Sequence, residues 1–218
     1  MNQARLLPPP LQIEEPLAVD EIIRQIDPWI FYHLRSTIGH VHYENQLYGI
    51  INAFLTSIFP LRRRFMTIPQ YMLRRALELE EIDEYLANVS FGSTDCFFES
   101  RDLAGNEEFK LYPDFAIVKV TPQPNSPREH RLIALIEVKR DEKAVSTAMT
   151  QCFQYLEQAQ GHLSRREDLC CYLMLGSRIN VIAGSATGHE EVETFDMFDC
   201  DDQFTRALCT IAREEWNS

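Results

Sequence analysis

The sequence lacks the features of a membrane or secreted protein. Its longest apolar runs, such as residues 169–175, are far shorter than the ~18 residues that a membrane-spanning helix needs. Its first residues contain no apolar stretch typical of a secretory signal, and its 6 cysteines have no metal-site spacing. We therefore expect an intracellular protein, cytoplasmic or nuclear and not secreted, whose cysteines are small buried hydrophobic residues.

Positive charge is also scarce. The chain has 21 Lys and Arg against 33 Asp and Glu, which gives a net charge of −12 at pH 7. A protein of this charge does not coat nucleic acid through bulk attraction, so a polyanion would have to meet a local basic patch or a bound cation. The sequence has no GxSxG, P-loop or GxGxxG motif, which argues against an unrelated α/β hydrolase or transferase.

Proline is concentrated at the start of the chain. Residues 1–18 contain 4 prolines, which fix the backbone and remove hydrogen-bond donors, so they are predicted to form an extended arm. The remaining residues, 19–218, have the length and apolar content of a single domain. Such a domain needs neither a disulfide nor a metal to hold its core.

Hydrophobic periodicity predicts helices in the first part of the domain. Apolar residues recur at helical spacing from 19 to 34, with an interruption near Pro28, and more strongly from 41 to 58. Residues 61–89 are predicted to be a helical insertion, in which a run of arginines is followed by a run of acids. This charge pattern fits either a solvated helix face or a local phosphate-binding patch.

Strands dominate the second part. Strands are predicted at 94–99, 111–120, 131–139, 169–175 and 179–183, and helices at 141–161 and 202–216. The strand at 131–139 is apolar on both faces, with Leu132 and Ala134 on one face and Ile133 on the other, which is typical of a central strand. Residues 190–202 form an acidic segment. The pattern predicts an α/β domain with a central mixed sheet, flanking helices and a C-terminal helix.

The central strand ends in charged residues. Glu137 and Lys139 are two residues apart and therefore share a face of the strand. A hairpin centred between residues 125 and 126 would place Asp114 opposite Glu137, with Cβ atoms about 5 Å apart. Two carboxylates so close repel each other, so either one takes up a proton or a divalent cation neutralises the pair.

Such a site suits phosphodiester hydrolysis. Carboxylate and carbonyl oxygens are ligands that Mg²⁺ accepts while it keeps several waters. A neighbouring lysine can orient or deprotonate a water, or stabilise charge that develops on a phosphoryl group. The plainer interpretation is that Glu137 and Lys139 form a same-face ion pair, worth ~0–1 kcal/mol if exposed.

Three motifs resemble one known family. Pro113-Asp114, followed after 22 residues by Glu137-Val138-Lys139, resembles the signature of the PD-(D/E)XK nuclease superfamily. Glu44, on the helix before the first core strand, matches a further acidic position of that family. Residues Gln151 to Tyr155 are similar to the QxxxY motif of its exonuclease branch. The order of helix, three strands, helix and strand over about 40–185 is also similar to the family's core.

The resemblance implies a fold, a reaction and a set of residue roles. The fold would be restriction-endonuclease-like, and the activity would be Mg²⁺- or Mn²⁺-dependent cleavage of nucleic acid, with DNA favoured over RNA. Asp114, Glu137 and the carbonyl of Val138 would bind the metal. Glu44 would add a second metal or a metal-bound water, and Lys139 would position or activate water. Gln151 and Tyr155 would support the site or the scissile strand.

Nucleases of this kind need a basic groove. The candidate nucleic-acid-binding residues are Arg62, Arg63, Arg64, Arg74, Arg75, Arg140 and Lys143. The alternative function is a catalytically inactive nuclease-like domain that binds protein or nucleic acid, and the net negative charge favours it. A second copy of the chain, or a protein that docks on the acidic segment, is a further candidate partner, whereas a membrane is not expected.

Overall fold

Three helices, five strands, a fourth helix, three strands and a fifth helix follow one another in the computed structural model, which describes residues 11–38, 40, 43–74, 110–120, 130–140, 145–160, 164–185, 188–196 and 202–218. The helices of this part are α1 (Val19–Gln25), α2 (Pro28–Ile38), α3 (Asn45–Ile58), α4 (Val145–Gln160) and α5 (Gln203–Glu214). The strands are β1 (Phe65–Pro69), β2 (Leu73–Arg74), β3 (Lys110–Leu111), β4 (Phe115–Lys119), β5 (Arg131–Lys139), β6 (Cys170–Leu175), β7 (Arg178–Ser185) and β8 (Gly188–Asp196). No helix within these residues has both the length and the apolar character needed to cross a membrane.

Six strands form one mixed sheet in the order β1-β4-β5-β6-β7-β8. Strands β5 and β6 are parallel, and the other neighbouring pairs of this sheet are antiparallel. Helix α4 lies in the chain between the two parallel strands, which need a crossover connection. Strands β2 and β3 pair in a separate ladder. The predicted α/β class, with a mixed sheet and flanking helices, is confirmed.

The sheet separates two apolar cores. Helices α1, α2, α3 and α5 pack on one face, around residues such as Phe54, Phe115 and Phe204. Helix α4 packs on the other face through Cys152 and Leu156 among others. Strand β5 contributes to both cores, as its two apolar faces predicted.

The helix boundaries follow local chemistry. Pro28 is the first residue of α2, where its missing N–H costs no hydrogen bond, so the predicted interruption falls between α1 and α2. Asp202 caps α5, because its side chain accepts the backbone N–H of Thr205. In α3 the buried residues recur at three and four: Leu47, Ile50, Ile51, Phe54, Leu55 and Ile58.

The predicted helical insertion at 61–89 is wrong for the part that the structure describes. One 3-10 turn, Leu61–Arg63, leads into β1 and then β2. Pro60 precedes the 3-10 turn and Pro69 ends β1, and the eight residues between these prolines are too few for a packed helix. Strand β1 pairs with β4 and forms one edge of the six-stranded sheet. Residues 75–89 and the strand predicted at 94–99 lie outside the described residues.

A bulge interrupts the alternation that was predicted for the central strand. Ile117 pairs with Ala134, and Val118 pairs with Leu132, so Ile133 is an extra residue in β5. Ile133 consequently lies in the same core as Ala134, and Leu132 lies in the core beneath α4. The period-two pattern had placed Leu132 with Ala134 and Ile133 on the other face, because such a pattern cannot locate a bulge.

Three further segments bear on the sequence predictions. Residues 11–18, the described part of the predicted arm, contain no helix or strand. The first part of the acidic segment belongs to β8, an edge strand on which charge discourages pairing with another chain. Cys152, Cys171 and Cys209 are buried free thiols, as expected of small hydrophobic residues.

Candidate active site

The ends of β4 and β5 bring two carboxylates together. Phe115 pairs with Ile136, which is the register predicted from the hairpin, and one step further on the same register sets Asp114 beside Glu137. The backbone N–H of Asp114 donates to Oε2 of Glu137 at 3.4 Å. Only 6% of Asp114 and 2% of Glu137 are exposed, so both acids are withdrawn from water.

Asp114 accepts hydrogen bonds at both of its carboxylate oxygens. Oδ1 accepts from the hydroxyl of Tyr48 and, at 2.8 Å, from Nε2 of Gln70. Oδ2 accepts from the backbone N–H of Val138 at 2.7 Å. The position of this carboxylate is therefore set jointly by α3, by the residue after β1 and by β5.

Lys139 and Tyr155 donate hydrogen bonds to the two carboxylate oxygens of Glu137. Nζ of Lys139 donates to Oε1 at 2.7 Å, and the hydroxyl of Tyr155 donates to Oε2 at 3.1 Å. Burial, and after it the charge of Asp114, raises the pKa of Glu137 above its ordinary value, although the two donors oppose this shift. A bound cation would favour the ionised form of such a carboxyl group.

Lys139 keeps its proton. Burial lowers the pKa of Lys139, but the hydrogen bond and the charge of Glu137 outweigh burial, so this pKa lies above its ordinary value. The side chain retains 17% of its exposure and thus borders on solvent. A lysine that stays charged can orient a water or stabilise an anion, and it is a poor general base.

Glu44 occupies the N-cap position of α3 and not a position within the first turn of that helix. Its Oε2 lies 4.0 Å from Nζ of Lys139, and its Oε1 accepts the backbone N–H of Arg140 at 3.4 Å. Glu44 therefore reaches the same end of the sheet as the two buried acids. Within the site, Glu44 contacts Lys139.

Helix α4 carries the two residues of the predicted QxxxY motif. The hydroxyl of Tyr155 contacts Glu137 and also lies 3.3 Å from the carbonyl of Tyr112. Burial and the charge of Glu137 raise the pKa of Tyr155, so its hydroxyl remains a neutral donor. One helical turn earlier, Oε1 of Gln151 is buried and has no hydrogen-bond partner among the described residues. A buried acceptor of this kind is costly, and it can serve a ligand.

The structure corrects the assignment of Arg63 to a nucleic-acid surface. This residue is 2% exposed, and its guanidinium donates to the carbonyl of Trp216 and to Oδ1 of Asn217. Buried charges need such partners, so the guanidinium of Arg63 stabilises the interior and is not accessible to a phosphate.

The other predicted basic residues do not form one surface in the part that the structure describes. Arg62 is exposed and lies over the ring of Trp216, Arg64 is half-buried, and Arg140 is exposed beside the site. Arg75, Lys143 and the side chain of Arg74 lie outside the described residues.

Sequence reasoning missed Tyr48 and Gln70. Tyr48 follows Glu44 by four residues, so the helical spacing that places both near one face was an available signal. Gln70 follows the last residue of β1 and has a left-handed backbone, with φ of 49°. Nothing in its local sequence marks it, because its approach to Asp114 depends on the long-range pairing of β1 with β4.

The donor set fits a small divalent cation that keeps part of its water shell. No cluster of three or more His, Cys, Asp or Glu side chains in the described ranges could hold a metal, so these side chains do not form a closed cage. Oδ2 of Asp114 and Oε1 of Glu137 each accept one recorded hydrogen bond and keep a lone pair. Mg²⁺ is commonly held by one or two carboxylates and several waters. Asp114, Glu137 and the carbonyl of Val138 are the groups that would hold it.

No protein-family model, curated protein or solved structure matches this chain. Its function therefore has to be inferred from the geometry of the site.

Proposed function

We propose that this protein is a metal-dependent nuclease with Asp114, Glu137 and Lys139 at its catalytic centre. One observation carries the proposal. Two buried acids that are 23 residues apart in sequence meet where β4 begins and β5 ends, with 3.4 Å between the backbone nitrogen of one and the carboxylate of the other. An ammonium group lies 2.7 Å from that same carboxylate. A cation would offset the repulsion between the two acids.

The order of elements supports a restriction-endonuclease-like core. α3, β1, β4, β5, α4 and β6 follow one another as helix, three strands, helix and strand, with the β2–β3 ladder between β1 and β4. This is the order that the sequence resemblance implies. The predicted acids also lie at the expected ends of the second and third core strands.

Each residue of the site has a chemical role in this proposal. A bound Mg²⁺ or Mn²⁺ would supply Lewis acidity and a water of lowered pKa. Asp114, Glu137 and the carbonyl of Val138 would hold the cation, and Tyr155 fixes the carboxylate of Glu137 through its hydrogen bond. Lys139, which stays charged, orients the attacking water or stabilises the developing phosphoryl charge.

The proposed substrate is nucleic acid. A phosphodiester offers the anionic oxygen that replaces a water on such a cation. Because the chain has a net charge of −12, local positive charge must attract the phosphodiester. The charged Lys139 and the exposed Arg140 lie at the site. The preference for DNA over RNA comes from the sequence resemblance.

A binding module without catalysis is the second candidate. Every oxygen of the two buried carboxylates already accepts a protein hydrogen bond, and Lys139 pairs with Glu137 directly. A site satisfied in this way is compatible with the fold in the absence of a cation. Such a domain would bind nucleic acid or protein through surfaces other than the catalytic centre.

Calorimetric titration with Mn²⁺, combined with cleavage assays on single- and double-stranded DNA and RNA, separates the two candidates. We expect the wild-type protein to take up Mn²⁺ and to cleave. Asp114→Asn should lose Mn²⁺ uptake, and Lys139→Met should keep it while cleaving about 10²–10³ times more slowly, because a group that stabilises the developing charge is lost. Glu157→Gln, which changes an exposed carboxylate on α4, is the matched control and should behave as the wild type.

Two results would contradict the nuclease proposal: no Mn²⁺ uptake by the wild-type protein, or equal cleavage by the wild type and both site variants. Binding of nucleic acid without Mn²⁺ uptake and without cleavage would establish the binding module.

A further inference from the structure

One oxygen of Asp114 is saturated by the protein. Oδ1 accepts from the hydroxyl of Tyr48 and from Nε2 of Gln70, which is 2.8 Å away. The same amide nitrogen lies 3.2 Å from the hydroxyl of Tyr48, so the two donors also contact each other. A carboxylate oxygen has two lone pairs in its plane, and both are engaged at Oδ1. The other oxygen, Oδ2, accepts one recorded hydrogen bond, from Val138.

Gln70 reaches Asp114 in two ways. Its backbone N–H donates to the carbonyl of Asp114 at 2.8 Å, while its side chain binds Oδ1. It does so from a left-handed backbone with φ of 49°, a conformation that is unfavourable for a residue with a side chain. Strained residues of this kind persist where the surrounding structure holds them, and they are enriched at functional sites.

The ring of Tyr48 is held by its contact with Phe115. It extends from α3, and its ring packs edge-on against Phe115, with 5.3 Å between the ring centroids and 66° between the planes. Phe115 is the residue next to Asp114 and is wholly buried. The hydroxyl of Tyr48 is therefore fixed against the strand that carries the carboxylate.

We infer that Tyr48 and Gln70 are positioning residues that leave Asp114 only Oδ2 to offer a cation, and that they thereby select Mg²⁺ or Mn²⁺ over Ca²⁺. Magnesium needs near-octahedral geometry and keeps its waters, so one oxygen from each carboxylate suffices. Calcium takes six to eight oxygens and often binds a carboxylate through both of its oxygens. The occupied Oδ1 denies it that mode. This inference rests on the proposed cation site and concerns how that site discriminates.

Separate calorimetric titrations of the purified protein with Mn²⁺ alone and with Ca²⁺ alone test this inference. Tyr48→Phe removes the hydroxyl and keeps the ring packing, whereas Gln70→Gly removes the amide and adopts the left-handed backbone without strain. We expect the ratio of Mn²⁺ to Ca²⁺ affinity to fall about tenfold in each variant, because a lone pair freed on Oδ1 lets Ca²⁺ bind the carboxylate through both oxygens, whereas Mn²⁺ needs only one. Tyr32→Phe, at an exposed tyrosine of α2, is the control and should keep the wild-type ratio.

The ratio of Mn²⁺ to Ca²⁺ affinity shows whether Tyr48 and Gln70 select between cations or only hold Asp114 in place. If both affinities fell by the same factor in folded variants, or if neither changed, the inference would be overturned while the nuclease proposal stood. If the wild-type protein bound neither cation, the proposed cation site itself would fail, and the inference with it. Circular dichroism of each variant identifies any loss of folding, and the exposed position of Gln70 makes Gln70→Gly the safer variant in this respect.

Discussion

At the level of single residues, Glu137 shows how the fold tolerates a buried acid. The residue is 2% exposed, and an unpaired carboxylate so placed would cost several kcal/mol. Lys139 compensates its charge at one oxygen, and Tyr155 donates to the other. The site thus depends on the hydroxyl of a buried tyrosine.

Tyr155→Phe tests that dependence. Removing the hydroxyl leaves Oε2 of Glu137 with only the long contact to the backbone of Asp114, so we expect the free energy of unfolding to fall by about 1–3 kcal/mol. Urea denaturation measures the change. The control Tyr32→Phe removes an exposed hydroxyl and should alter stability by no more than about 0.5 kcal/mol. Equal effects of the two substitutions would show that the buried hydrogen bond contributes nothing.

At the level of elements, two glycines have opposite roles. Gly176 lies in the turn between β6 and β7 with φ of 61°, a left-handed conformation that residues with a Cβ disfavour. Gly49 lies inside α3, where a Cβ would meet no atom within 4 Å. The turn therefore needs its glycine, whereas the helix carries one at a cost in backbone entropy.

Substituting alanine at each position should change stability in opposite directions. We expect Gly176→Ala to lower the free energy of unfolding by about 1–2 kcal/mol, because alanine pays for the left-handed backbone. Gly49→Ala should raise it by about 0.5–1 kcal/mol, because alanine is the better helix former. Thermal unfolding of both variants checks the pair, and shifts of the same sign would contradict this assignment.

The elements also show which local patterns were sufficient. The helices α3 and α4 were predicted because their apolar residues recur at helical spacing, and the strands β5 and β6 because each is an unbroken apolar run of strand length. Strand β1 was missed because it has five residues and lies in a charge-rich stretch that was interpreted as helical. Its identity as a strand comes from its pairing with β4.

At the level of the whole molecule, buried cations hold the end of the chain to the sheet. Nζ of Lys119, in β4, donates to the carbonyls of Glu215 and Trp216 at 2.5 and 3.1 Å. Arg63 donates to the same Trp216 carbonyl and, at 3.0 Å, to the carbonyl of Gln12 in the N-terminal arm. The carbonyls of Glu215 and Trp216 follow the last turn of α5, where the helix dipole favours positive charge. Both termini of the described chain are thereby joined to one point of the core.

Lys119 makes the free energy of unfolding depend on pH. Burial, and then the charge of Arg63, lowers the pKa of Lys119 from 10.5 to about 8. From pH 8 to 10.5 the unfolded chain holds a proton that the folded protein has released, so the contribution of this residue to stability rises with pH. We expect the free energy of unfolding of the wild type, relative to Lys119→Met, to increase between pH 8 and 10. Urea denaturation at several pH values measures it, and a difference that is constant or falls with pH would refute the prediction.

The sequence alone determined the α/β class, the main helices and strands, and the identity of Asp114, Glu137, Lys139 and Tyr155 as one group. The class and the elements follow from short-range periodicity. The hairpin spacing predicted Asp114 beside Glu137 and Lys139, and the resemblance to the QxxxY motif added Tyr155. Only the tertiary structure decided the parts that depend on distant segments meeting. Strand β1, the bulge at Ile133, the burial of Arg63 and the contacts of Tyr48 and Gln70 with Asp114 all arise in this way. A linear pattern records what each residue prefers, whereas strand pairing and packing determine which of those preferences are satisfied together.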